Sequence, residues 1–97
     1  MHSHYAPRKK LVAGNLEQLL KSYPYDRSGI LSFRNDYHAP VQVILSPSGD
    51  MAEAARNFFS ALRQLDQSPA EIILAEFMPE TGLGVAINDR LRRAGYG

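Results

Sequence analysis

The stretch Glu71–Gly95 reads EIILAEFMPETGLGVAINDRLRRAG, and its interpretation decides the fold. EIILAEF is nearly all apolar at its centre, as strands covered on both faces are. ETGLG then leads into a helix predicted over about Leu83 to Ala94. Leu83, Ala86, Ile87, Leu91 and Ala94 share one face of it, and Gly95 ends it. Strand, glycine loop and helix is the layout of an α/β unit and of many phosphate-binding sites. The dinucleotide fingerprint needs a third glycine and an acidic residue ~20 positions later. Ile87 stands where that glycine belongs, and too little chain follows for the acid. The Walker pattern is absent too. Gly82 and Gly84 therefore read first as a tight turn that lets a helix approach a strand, and second as a candidate anion site at a helix N-terminus.

Working outward, the preceding helix is the strongest signal in the chain. Met51, Ala54, Ala55, Phe58, Phe59, Leu62 and Leu65 form one broad apolar stripe. Asp50 and Glu53 have capping-box spacing, with Asp in place of Ser or Thr. VQVIL (Val41–Leu45) is β-branched and apolar, the clearest strand. SGILSF predicts a strand at Ile30–Phe33, and KKLVA one at Lys9–Ala13. Asn15 caps a helix from Leu16 to about Tyr23, stopped by Pro24. MHSHYAP reads as an extended arm, since Pro7 pushes Ala6 out of the helical region.

The resulting order, β-α-β-β-α-β-α, predicts an α/β three-layer Rossmann-like sandwich with a mostly parallel sheet, preceded by an N-terminal linker arm. Residues 1–8 form the arm and 9–97 the domain. The seven-residue link RNDYHAP is too short for a crossover helix. The second and third strands are therefore expected to be antiparallel neighbours, or not neighbours at all.

Composition narrows the function. The 97 residues carry a net charge of +1 and no cysteine. That excludes disulfides and Cys-ligated metal, and it gives no global basic field for nucleic acid. No apolar run reaches the ~20 residues of a membrane span, and the N-terminus lacks the apolar core of a signal peptide. A cytoplasmic domain without membrane contact is the expectation. Arg90, Arg92 and Arg93 complement the negative end of the last helix, or form a small candidate contact for tRNA phosphates. Glu76 and Arg56 are a candidate structural ion pair between strand and helix. His2 and His4 project to one side of the arm, but two histidines without a third ligand do not make a zinc site. No metal site and no catalytic constellation are expected in this chain.

Three segments together resemble one family. HYAP (His4–Pro7) is similar to the interdomain linker of the two-domain threonylcarbamoyl-AMP synthases, the long members of the YrdC family. EAARNFFSALRQLD (Glu53–Asp66) resembles the family's A-R-N-L-F-x-A-L-R-x-L-D helix. IILAEFMPETGLGVAINDRLRRAG (Ile72–Gly95) resembles its C-terminal tail. Met1 matches the methionine of the family's P-G-M, which suggests a domain excised from a longer chain. The sequence departs from the family pattern at His2-Ser3, where a basic residue is common.

The resemblance implies a Rossmann-like, non-catalytic C-terminal accessory domain. The full enzyme would join threonine, bicarbonate and ATP, with Mg, into threonylcarbamoyl-AMP for the threonylcarbamoyladenosine modification of tRNA. Catalytic, ATP and threonine sites would belong to a YrdC-like partner domain in the same parent chain. His4, Tyr5 and Pro7 would lie near nucleotide at its active-site mouth. No cofactor is implied for this chain itself. The resemblance leaves the domain's role between gating that site and contacting tRNA or a partner.

Overall fold

The computed structural model describes residues 6–95. Four strands, β1 (Lys10–Gly14), β2 (Ser28–Ser32), β3 (Val41–Ile44) and β4 (Ile72–Glu76), form one parallel sheet in the order β1-β4-β2-β3. Three α-helices, α1 (Leu16–Ser22), α2 (Met51–Asp66) and α3 (Leu83–Ala94), cover its two faces. A short 3-10 turn at Tyr25–Arg27 precedes β2.

Side-chain alternation along each strand divides the core in two. Leu11, Leu31, Ile73 and Ala75 point to one face and pack with Ala54, Phe58, Leu62 and Leu65 of α2 and with Ile87 and Leu91 of α3. Val12, Ile30, Ile72 and Leu74 point to the other and pack with Leu16, Leu19 and Leu20 of α1. β4 lies inside the sheet, so it presents apolar residues in both directions, which explains its unbroken apolar centre.

The expectation for β2 and β3 is corrected: they are parallel neighbours, with Gly29 opposite Val41 and Ser32 opposite Ile44. The return runs as an extended loop across the α1 face. Eight extended residues span ~26 Å, whereas an eight-residue helix would rise only ~12 Å. A five-residue strand is ~16 Å long, so the loop can return where a helix of that length could not. Tyr37 and Ala39, partly buried, pack from this loop against the core on the α1 face, filling the place of a crossover helix. Gln42 fixes its course, accepting the Tyr37 and Ala39 N–H groups at 3.2 and 3.3 Å and donating to Asp36 at 2.6 Å.

The α2 cap also differs in detail from a simple box. Asp50 Oδ1 accepts the Ala52 N–H at 2.9 Å. Glu53, however, takes the Ser46 hydroxyl at 2.6 Å, and that hydroxyl accepts the Asp50 N–H at 2.7 Å. Ser46, which is fully buried, relays the bond that Glu53 would otherwise make itself.

Candidate functional site

Two regions position polar groups where they could serve the domain's function: the segment just ahead of β1, and a crevice at the C-terminal edge of the sheet.

Just ahead of β1 the chain runs beside the end of α2. The Asp66 carboxylate accepts the backbone N–H of Arg8 at 3.1 Å through Oδ2 and that of Lys9 at 3.0 Å through Oδ1. The Lys9 ammonium donates to the Asp66 main-chain carbonyl. A cation on the last carbonyls of a helix meets its negative end. Pro7 is half-buried next to this clamp. His4 and Tyr5 lie outside the described residues.

The crevice lies where β1, β4 and β2 end. β4 leaves toward the α3 face, while β1 and β2 on either side of it leave toward the α1 face. Such reversals open a cleft beyond the carboxyl ends of the strands. This one has a volume of about 520 Å³ and is lined by Gly14, Asn15, Glu17, Asn35, Tyr37, Glu76 and Phe77, with Leu16 at its base. Glu76 is half-buried at the end of β4. Its Oε2 accepts the Phe33 N–H at 3.4 Å, a long bond. Burial pushes the Glu76 carboxyl above its ordinary range, and the contacts with Phe33 and Tyr37 offset this only in part. Burial and the neighbouring Glu76 and Glu17 charges push the Tyr37 phenol up as well.

Glu76 and Arg56 do not form the ion pair that the sequence suggested. The salt bridges among the described residues do not include them, and Arg56 is exposed on α2. Glu76 sits at the strand's end, where its carboxylate reaches the β2–β3 loop.

The glycine turn has a steric explanation. Gly82 adopts φ 53° and ψ −130° as the residue capping α3, a conformation that side chains strongly disfavour. A Cβ on Gly84 would lie 2.0 Å from the Pro79 carbonyl oxygen. The turn is also tied by Asn88, fully buried, which accepts the Met78 N–H at 2.7 Å and donates to the Met78 carbonyl at 2.8 Å and to Glu80 at 2.6 Å.

The three arginines of α3 have partners within the fold. Arg92 bonds Glu80 at 2.9 Å and lies over the Phe77 ring; Arg93 pairs with Asp89 at 3.2 Å; Arg90 lies over Phe59. Asn88 and Arg92 together hold the Glu80 carboxyl below its ordinary range. Among the described residues no group of three or more His, Asp or Glu is placed to hold a metal, and no helix is long and apolar enough to cross a membrane.

The profile of the family described as "Threonylcarbamoyl-AMP synthase, C-terminal domain" matches residues 1–95. The chain belongs to this family. Among curated relatives, the threonylcarbamoyl-AMP synthase of Pyrococcus abyssi is 32% identical over 98% of the chain, and that of Bacillus subtilis 28% identical over 99%. The chain spans only 31% of the length of each. Among solved structures, P. abyssi Sua5 complexed with L-threonine superposes with a TM-score of 0.78 at 31% identity, covering 96% of this chain and 30% of that one. The crystal structure of the C-terminal Sua5 domain from Pyrococcus horikoshii has a TM-score of 0.60 at 28% identity and is covered over 93% of its length. A domain of these bounds has thus been crystallised by itself.

Sequence reasoning did not find the crevice, Asp66 or Asn88. Asp66 closes the family-like helix and Asn88 lies in the family-like tail, so the signal was present. The partners that give them meaning lie 57 and 10 residues away.

Proposed function

We propose that this chain is the non-catalytic accessory domain of a threonylcarbamoyl-AMP synthase, and that it gates a YrdC-like active site through the arm at its N-terminus. Membership of the family and the 31% span of its relatives support a larger parent with a separate catalytic domain. The observation that carries the gating reading is the Asp66 clamp on Arg8 and Lys9. It fixes Arg8, the last residue of the arm, and the adjoining Lys9 to the end of α2, so movement of the domain is transmitted to the arm.

In this reading His4, Tyr5 and Pro7 lie at the mouth of the parent's active site. ATP, Mg, threonine and bicarbonate are handled by the catalytic domain in the cytoplasm, and the product serves tRNA modification. One solved structure similar to this chain is a P. abyssi Sua5 variant in which an adjacent His–Tyr pair is replaced by alanines. The alternative, a tRNA- or nucleotide-binding module, has less support, because Arg90, Arg92 and Arg93 already have intramolecular partners.

The test is pyrophosphate release from ATP in the presence of threonine and bicarbonate. The two-domain enzyme, its catalytic domain alone, and that domain with this chain added in trans are compared. A changed kcat or nucleotide retention on deletion supports gating. Identical kinetic constants in all three contradict it.

A further inference from the structure

The crevice beyond β1, β4 and β2 is not used by the clamp. Its volume falls in the range of small-ligand sites, ~300–1,000 Å³. Two carboxylates, Glu76 and Glu17, are in its lining, and none of the lining side chains is cationic. Arg92, which covers the Phe77 ring, is held by Glu80. Arg34, next to Asn35 in sequence, has its guanidinium beside Gly49. Glu76 makes no ion pair among the described residues, although it is half-buried. Its contacts with Phe33 and Tyr37 offset that burial only in part, and a cation would offset more of it.

Two carboxylates and no cation in the lining disfavour phosphate and carboxylate ligands. They suit an ammonium or guanidinium group, for which Tyr37 and Phe77 add aromatic surface. The crevice is also open, so a small free cation would gain little there. A cation on a side chain of the same polypeptide is presented at millimolar effective concentration. About two-thirds of the length of the relatives lies outside this chain, and can supply such a side chain.

We propose that the crevice bounded by Gly14–Glu17, Asn35, Tyr37, Glu76 and Phe77 seats a lysine or arginine side chain from the remainder of the parent synthase, with Glu76 as its counter-ion. This rests on the reading that the chain is one domain of a larger enzyme. It adds a second point of contact, at the sheet edge, distinct from the Asp66 clamp.

The test uses amide NMR shifts of the 97-residue chain. n-Butylammonium and n-butylguanidinium chloride are titrated against sodium chloride at matched ionic strength, with sodium butyrate as the anionic control. Saturable shifts at residues 14–17, 35, 37, 76 and 77 with the cations alone are expected, weakened about tenfold or more in Glu76→Gln. Equal response to butyrate, or no response to either cation, overturns the proposal. In the second arm the two-domain enzyme is segmentally labelled in this domain. There the same cations should leave the crevice signals unmoved, because the seat is filled. If they bind as they do to the free chain, the site takes free cations and the proposed occupant is wrong. Failure of either arm leaves the Asp66-dependent gating untouched, since that is read from turnover.

Discussion

Asp66 holds Lys9 from both sides: its carboxylate accepts the Lys9 backbone N–H at 3.0 Å, and its main-chain carbonyl accepts the Lys9 ammonium. With the Arg8 N–H on the second carboxylate oxygen, one side chain anchors two successive residues ahead of β1. These bonds tie the end of α2 to the start of β1. Asp66→Ala removes the acceptor for both N–H groups. It should cost the isolated chain about 1–2 kcal/mol in urea unfolding, since both amides are near enough to solvent to find water. Hydrogen exchange at Arg8 and Lys9 should quicken more than exchange in β4.

Gly84 tests the steric account of the turn. Gly84→Ala places a methyl 2.0 Å from the Pro79 carbonyl and forces the turn or the helix to move. A loss of about 2–4 kcal/mol is expected, in the range of core overpacking. Gly82→Ala meets no atom within 4 Å, so its cost is conformational alone, about 1–3 kcal/mol. Equal stability of Gly84→Ala and the parent sequence in thermal melts would show that the turn is not fixed by this contact.

Asn88 serves the turn by hydrogen bonding. Asn88→Leu keeps the branch at Cγ, in a bulkier side chain, but leaves the Met78 N–H and carbonyl without their partners in a buried setting. The expected loss is about 2–4 kcal/mol, the cost of two orphaned backbone groups. Exchange at the Met78 amide should rise with it.

Glu76 gives a pH signature. Its folded carboxyl is raised above the ordinary 4.5. The folded state therefore binds this proton more tightly than the unfolded chain does. The group favours folding fully only below its unfolded value, and that contribution is lost as pH rises through the higher folded value. Glu76→Gln should thus stabilise the isolated domain at neutral pH and lose that advantage as the pH falls below 4.5. Denaturant midpoints for both proteins at several pH values check this. A stabilised domain that no longer takes up cations would fit a site that trades stability for binding.

Much of the fold could be read from the chain because its helices and strands carry periodic apolar patterns. The stripe from Met51 to Leu65 matches α2, Asp50 caps it, and α3 spans Leu83–Ala94 as its periodicity implied. The β2–β3 pairing was not legible, because a rule written for crossover helices says nothing of an extended loop packed by Tyr37 and Ala39. Glu76 was visible as a lone acid at a strand's end. Its partner was not, since Phe33 offers a backbone N–H that no residue type announces. The crevice gathers three segments that the order β1-β4-β2-β3 alone brings together, and the sequence does not display strand order.

The claim that the domain governs synthesis through its anchored arm is tested most directly by steady-state kinetics of the two-domain enzyme carrying Asp66→Ala. Pyrophosphate release and retention of ATP would be measured under conditions where the variant remains folded. A several-fold change in kcat or in nucleotide release, with the catalytic domain's own sequence untouched, is the predicted result. Kinetic constants and nucleotide retention identical to those of the unaltered enzyme would contradict it.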